Sequence, residues 1–230
     1  MSFAGLAERL AHIRAEIARA QAAGGWTHPV TIVAVTKGFG PDAVRAALAA
    51  GLPDVGENRV QEALDKMTAE PDSRAVWHLI GHLQRNKAKQ VAGRFALVHS
   101  LDSLELAVEL AKRAAAVAVR QRVLVQVNVA GETQKSGCAP VDLPALVGRV
   151  AALESLSLEG LMTMAPLTGD LAVQRNTFRG LRRLRDALQQ EGTWLPSLSM
   201  GMSDDFVTAV EEGATVIRLG TALFGPRTTN

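Results

Sequence analysis

Leu195-Pro-Ser-Leu-Ser-Met-Gly-Met-Ser-Asp-Asp-Phe-Val-Thr-Ala-Val-Glu-Glu-Gly-Ala-Thr-Val-Ile-Arg-Leu-Gly-Thr221 reads as strand, turn, helix and strand. The apolar runs Leu195–Met200 and Ala214–Leu219 are the strands, and Asp204–Glu212 is the helix between them. A helix that carries the chain back between two strands makes those strands parallel. Upstream, the same alternation repeats. Strands are expected at Thr31–Thr36, Asp54–Glu57, Val76–Gly81, Phe95–His99, Arg122–Val129 and Leu156–Met164. Helices are expected at Ala43–Ala50 and Arg59–Ala69, after Leu83, from Ser100-Leu101-Asp102 to Val119, from Pro140 to Leu153, and from Asp170 to Gln190. Pro41-Asp42 opens the first of these and Gly51 closes it.

Near-continuous apolar strands are strands covered on both faces, the mark of a parallel sheet. Eight such units in about 200 residues predict a closed (β/α)8 TIM barrel, near the short end for that α/β fold. An open doubly wound sheet is the alternative. No G-x-G-x-x-G turn follows the first strand, which weighs against a dinucleotide site. Ahead of the barrel, Leu6, Leu10, Ile13 and Ile17 give a helix over Ser2–Ala23, stopped by Gly24-Gly25. This extra N-terminal helix is expected to lie across the barrel bottom. Residues 1–230 read as one domain with no second domain, linker or repeat.

The chain has 230 residues, 47% of them hydrophobic, and a net charge of +2, so bulk electrostatics imply neither nucleic acid nor an anionic membrane. Its single cysteine, Cys138, precludes an internal disulfide and fits a reducing, cytoplasmic setting. No apolar run reaches the roughly 18 residues of a membrane span. The N-terminus, with Glu8 and Glu16, does not read as a secretion signal. A monomer is expected.

In such barrels the chemistry lies at the C-terminal ends of the strands. Lys37 ends the first strand. It is either a rim lysine in a salt bridge or a Schiff-base amine with a depressed pKa. Arg218, inside Val-Ile-Arg-Leu-Gly, either pairs with a carboxylate such as Glu57 or donates to a ligand acceptor such as a pyridine nitrogen. Gly201, Ser203, Gly220 and Thr221 lie in the turns after the last two strands, where backbone N–H groups and a helix start can cup a phosphate. Lys37 and this cup together point to a phosphorylated aldehyde.

Asn58 is either a helix cap or a ligand contact. His78, His82 and His99 read first as satisfied core histidines, and no ligand spacing for zinc surrounds them. Lys135 is either a solvated loop lysine or a second amine at the mouth, and Cys138 beside it is incidental. Arg175, Arg179, Arg182, Arg183 and Arg185 read as a solvated helix face offering ion pairs. They lack the interleaved aromatics of a nucleic-acid surface.

Seven stretches in register now carry a resemblance. They are Val35-Thr36-Lys37; Gly56-Glu57-Asn58-Arg59-Val60-Gln61-Glu62; Trp77 to Lys87; Gln126-Val127-Asn128 with Lys135-Ser136-Gly137; Gly160-Leu161-Met162; Leu198 to Ser203; and Arg218-Leu219-Gly220-Thr221 with Phe224-Gly225. The chain resembles the pyridoxal phosphate homeostasis protein family, whose members look like the barrel half of alanine racemase, from about residue 6 to Arg227. Thr36 stands where many relatives have serine. The resemblance implies pyridoxal 5′-phosphate (PLP) held as a Schiff base on Lys37. It implies Arg218 facing the pyridine nitrogen, and Ser203, Gly220 and Thr221 on the phosphate. Asn58, His78, Met162 and Ser199 would line the ring. It further implies a carrier in vitamin B6 homeostasis, buffering PLP or delivering it to PLP-dependent apo-enzymes, with indirect effects on amino-acid and keto-acid pools. No catalytic residue and no metal are expected.

Two other functions stay open. A racemase-like enzyme of this fold needs a second base on the opposite ring face, supplied by a tyrosine, and the chain contains no tyrosine. Without that proton transfer, worth about 10²–10⁴ in rate, racemisation would be crippled. His78 or a partner's group would have to replace it. An aldolase-type barrel would instead use Lys37 on a sugar carbonyl.

Overall fold

The computed structural model describes residues 3–132, 134 and 136–226. Eight strands close into a parallel barrel in chain order. They are β1 (Thr31–Val35), β2 (Asp54–Glu57), β3 (Val76–Leu79), β4 (Leu97–Leu101), β5 (Gln121–Gln126), β6 (Leu156–Met162), β7 (Ser197–Ser199) and β8 (Val216–Leu219). Closure is made by β8 on β1, with Ile32 beside Ile217 and Ala34 beside Leu219. The expected barrel is the observed one.

β2 has the expected bounds and β4 is shifted by two residues, while the other strands are shorter than their apolar runs, for reasons visible in the backbone. The run expected as Arg122–Val129 stops at Gln126, because the chain turns and Val127 bridges to Cys138. Phe95 precedes β4, its amide donating to the Val91 carbonyl. The helix expected after Leu83 is a 3₁₀ turn, Arg85–Lys87, running into one short α-turn, α4 (Ala88–Val91).

The remaining helices follow local signals. They are α2 (Pro41–Ala49), α3 (Val60–Ala69), α5 (Leu104–Ala116), α6 (Leu143–Ala151), α7 (Leu171–Gln190), α8 (Phe206–Glu211) and α9 (Thr221–Phe224). Asp170 caps α7 by accepting the Ala172 amide at 2.8 Å, satisfying a first-turn donor that no carbonyl can reach.

The N-terminal helix α1 (Leu6–Gly24) does not cross the barrel bottom. It runs down the wall. At its start Phe3 packs edge-on against Phe39 and Phe224, and Arg9 Nε donates to the Leu223 carbonyl at 2.7 Å. At its end Trp26 Nε1 donates to the Glu211 carbonyl at 2.8 Å, just ahead of β8. Only the four-residue α9 follows β8 among the described residues, so α1 fills the wall position of an eighth helix.

Alternation along the strands creates two cores. Outward residues such as Ile32, Ala34, Val55, Trp77, Leu79, Leu198 and Ile217 pack against the helices. Inside the barrel, Leu97, Leu124 and Met162 form a separate apolar layer. Leu124 is fully buried in that layer. Leu124→Ala leaves a lumen cavity with no helix free to collapse into it. It should destabilise the fold by about 2–5 kcal/mol in urea unfolding, with the barrel's far-ultraviolet dichroism retained.

Candidate functional site

Thr36 is wholly buried and ends the β1 ladder by donating its amide to the Gly56 carbonyl at 3.0 Å. The chain on both sides of Lys37 is then gripped from outside the barrel. Thr36 Oγ1 donates to Glu57 Oε1 at 2.5 Å. Lys66 Nζ, on α3, donates to the Thr36 carbonyl at 2.8 Å, to Glu57 at 2.5 Å and to Glu62 at 2.9 Å. Glu62 in turn accepts the Gly38 amide at 2.6 Å. Burial pushes the Glu57 carboxyl up, against the pull of Lys66 and Thr36. Its Oε2 finds no hydrogen-bond partner among the described residues.

Sequence reasoning offered Glu57 as the ion partner of Arg218. The structure gives Glu57 to Lys66 instead, because Gly56 and Glu57 face opposite sides of β2 and only one of them can face the lumen. Arg218 is 4% exposed inside the barrel. One Nη donates to Ser199 Oγ at 2.5 Å and the other to the Thr163 carbonyl at 3.0 Å. Burial lowers its pKa to about 10, with the Asp205 carboxylate opposing, so it is a cation at neutral pH.

The turn after β7 meets the turn after β8. Ser203 Oγ accepts the amides of Gly220 and Ala222, both at 3.2 Å. Gly201 has φ 96°, and a Cβ there would lie 2.6 Å from the Ala209 Cβ and 3.0 Å from the Phe206 Cα. Glycine alone lets the turn pass this close to α8.

Lys37, Asn58, Ser203, Arg218, Gly220 and Thr221 all line one cavity of about 320 Å³ at the C-terminal mouth of the barrel. Ile80, Gln126, Met164 and Met202, to which sequence reasoning assigned no role, also line it. These are ordinary strand-end residues that only closure brings inward. His82 lines it too, exposed at the mouth rather than a core histidine. His78, Met162 and Ser199 were expected at the ring. They do not line the cavity: they are buried in the lumen beneath it. Their strands point them inward one level lower. Gln126 Nε2 donates to the Ser136 carbonyl at 2.8 Å, which folds that loop onto the mouth. Lys135 lies outside the described residues. Burial pushes the Cys138 thiol up to about 11, which keeps it protonated at neutral pH.

Below the cavity, His78 Nε2 lies 2.9 Å from Asp54 Oδ1 and His78 Nδ1 lies 2.9 Å from His99 Nε2. His99 Nδ1 lies 2.9 Å from Ser199 Oγ. Burial, reinforced by His78 and Arg218, holds His99 well below the usual histidine range. On α7, Arg175, Arg179 and Arg182 converge on the nearly buried Glu212 at 3.1, 2.8 and 3.1 Å. These three arginines thus fasten α7 to the end of α8, and the ion pairs expected of Arg182 and Arg185 are made, with Glu212 and Asp186. No group of His, Cys, Asp and Glu able to hold a metal occurs among the described residues. No helix among them is long and apolar enough to cross a membrane.

Residues 9–228 match the family profile described as alanine racemase, N-terminal domain. The pyridoxal phosphate homeostasis protein of Pseudomonas aeruginosa is 47% identical over 223 residues, 96% of each chain. That of Aquifex aeolicus is 44% identical over 222 residues, 96% of this chain and 97% of the relative. PipY of Synechococcus elongatus, solved with PLP bound, superposes with a TM-score of 0.84 at 38% identity, covering 96% of this chain and 100% of PipY.

The depressed His99 makes stability acid-sensitive. In the folded protein its imidazole stays neutral, whereas in the unfolded chain it takes a proton below about pH 6.5. Its contribution is therefore fully present above that pH and is lost as pH falls, by about 1.4 kcal/mol per unit. Urea unfolding from pH 7.5 to 5.5 should show this slope. His99→Gln should flatten it.

Proposed function

We propose a function from the family to which the chain belongs, that of the pyridoxal phosphate homeostasis proteins. The chain binds PLP at the barrel mouth and acts as a carrier that buffers the free aldehyde and hands it to PLP-dependent apo-enzymes. The observation that supports this most directly is the shared cavity. One amine, Lys37, and one anion corner, Ser203 with Gly220 and Thr221, open into the same space with Arg218 in its wall. Its volume of about 320 Å³ sits at the small end of ligand sites, roughly 300–1,000 Å³, as suits a single-ring phosphate ester.

Each residue then has a task. Lys37 Nζ adds to the aldehyde carbon, and the C=N bond forms as water leaves. The clamp of Thr36, Glu57, Glu62 and Lys66 holds the backbone from which that amine reaches. Ser203, Gly220 and Thr221 form the phosphate corner, in which the Ser203 hydroxyl, accepting the Gly220 amide, keeps its hydrogen to donate. Arg218 donates to the ring nitrogen. As a guanidinium it has no proton to give up, so that nitrogen stays unprotonated. Asn58 contacts the ring from the cavity wall, while His78, Met162 and Ser199 support it from beneath.

When bound, PLP supplies an electrophilic carbon conjugated to an electron-withdrawing ring. An unprotonated ring nitrogen weakens that withdrawal. The chain carries no tyrosine to act as the second base of a racemase. Both features favour holding over turnover, and effects on amino-acid and keto-acid pools follow indirectly from cofactor supply. Every residue used belongs to one barrel, so one chain suffices as the binding unit.

Purified protein mixed with PLP should develop visible absorbance that borohydride fixes on Lys37, as peptide mapping will show. Lys37→Ala should abolish the fixed adduct while keeping wild-type unfolding behaviour, because a strand-end lysine contributes no core methyl groups. An undiminished adduct in Lys37→Ala would overturn the assignment.

A further inference from the structure

Five side chains cross the barrel lumen in one unbroken line. Asp54 on β2 meets His78 on β3, His78 meets His99 on β4, His99 meets Ser199 on β7, and Ser199 meets Arg218 on β8. The first three contacts measure 2.9 Å each and the last 2.5 Å. The His99–Ser199 contact bridges opposite walls, since β4 and β7 are not neighbours. The two ends differ in exposure. Arg218 is 4% exposed beside the mouth cavity. The Asp54 side chain is 25% exposed at the first residue of β2, hence at the other end of the barrel.

The chemistry of the ends fixes every proton between them. A carboxylate only accepts, so His78 donates from Nε2 to Asp54. A neutral His78 then accepts at Nδ1, so His99 donates from Nε2. A neutral His99 accepts at Nδ1, so Ser199 donates its hydroxyl hydrogen there. Ser199 Oγ is left to accept, and a guanidinium only donates. Read from either end, the direction is the same. Reversing any one bond places two donors face to face or deprives Ser199 of an acceptor. Such a mismatch leaves a buried polar group unsatisfied, which costs more than a made hydrogen bond returns.

We propose that Asp54, His78 and His99 are positioning residues for Arg218, a one-way hydrogen-bond chain that keeps Ser199 an acceptor and so aims the guanidinium into the cavity. Ser199 by itself could rotate its hydroxyl toward Arg218 and repel it. With His99 Nδ1 fixed as an acceptor behind it, that rotation is closed off. The anion at the far end makes the direction permanent. A neutral hydroxyl facing Arg218 also leaves the guanidinium charge available to a ligand acceptor, which a lumen carboxylate in its place would neutralise. The part of this inference that concerns the ligand rests on the PLP reading above. The direction of the chain does not.

Nitrogen-15 spectra of the ligand-stripped protein test the direction alone. His78 and His99 should both be neutral Nε2–H tautomers, and the Arg218 guanidinium protons should exchange slowly. His99→Leu severs the line and should speed that exchange at least tenfold, taking about 10-fold as the equivalent of 1.4 kcal/mol in opening equilibrium. His99→Gln can accept from Ser199 with its carbonyl and donate to His78 with its amide, and should restore slow exchange. PLP titration of the same proteins tests the consequence. His99→Leu should bind about tenfold more weakly and His99→Gln within about threefold of wild type, both still fixing the adduct on Lys37. A His99 Nδ1–H tautomer, a His99→Gln no better than His99→Leu, or a His99→Leu indistinguishable from wild type would each overturn the proposal. Should His99→Leu fail to fold, Asp54→Leu against Asp54→Asn makes the same comparison at the partly exposed end, with only the leucine expected to release Arg218. A wild-type protein that forms no adduct at Lys37 would remove the PLP reading, and the tautomers and exchange rates would still judge the chain.

Discussion

Arg218 carries a full charge within a closed barrel, 4% exposed, and its nearest partners are a serine hydroxyl and a backbone carbonyl. Lumens of this fold are ordinarily filled by branched apolar side chains in layers. Here the separate apolar cluster is Leu97, Leu124 and Met162, and polar side chains stand beside it, His78 in register with Leu97 and Ser199 with Met162. A buried polar group without a partner costs more than a made hydrogen bond returns. One arginine inside the lumen therefore recruits a succession of others. Ser199 must be satisfied, then His99, then His78, and the succession ends only where Asp54 reaches water.

The same logic operates on the outer face of the sheet around Lys37. Glu57 and Lys66 are both nearly inaccessible and lie 2.5 Å apart between the strands and α3. A buried ion pair is a weak source of net stability, since desolvation offsets attraction. What it gives here is rigidity at two backbone atoms flanking Lys37, the Thr36 carbonyl and, through Glu62, the Gly38 amide. An amine that must meet an aldehyde needs a fixed origin more than it needs added stability. The inner and outer polar clusters thus fix adjoining walls of one cavity, Lys37 from outside β1 and Arg218 from within the neighbouring β8.

Much of this was legible in the residues. Eight apolar runs separated by helix signals dictate a closed parallel barrel. Lys37 and the Gly-Ser and Gly-Thr turns announce themselves at strand ends, because glycine and a lone lysine there are local signals. The partners were not legible. His78 meets Asp54 because Gly56 lies beside His78 and Asp54 beside Val76, a register between strands that a single chain does not encode locally. His99 meets Ser199 across a hundred residues and the width of the lumen. Of the two alternatives for Arg218, the pair with Glu57 fell for a reason the sequence did contain. Period two forbids Gly56 and Glu57 from sharing a face. The position of α1 was equally open, since its apolar stripe suits either the bottom or the wall, and the short α9, the one helix after β8 among the described residues, leaves the wall to it.

The polar lumen also bears on why a racemase-like barrel should serve as a carrier. Acid–base chemistry at an amino-acid carbon needs a group that can take a proton and return it within reach of that carbon. The proton-bearing groups in this lumen are instead arranged so that each is already committed. His99 is held neutral by burial, and both of its nitrogens are engaged. His78 is spent between Asp54 and His99, and neither histidine opens onto the cavity. Arg218 stays protonated at neutral pH despite a pKa lowered to about 10. Beneath the cavity, then, no histidine is left idle as a base; the imidazole and carboxylate that do line it, His82 and Asp204, sit at its mouth. On the proposed reading, that is chemistry suited to capturing an aldehyde and releasing it by hydrolysis, with the substrate's other bonds left alone.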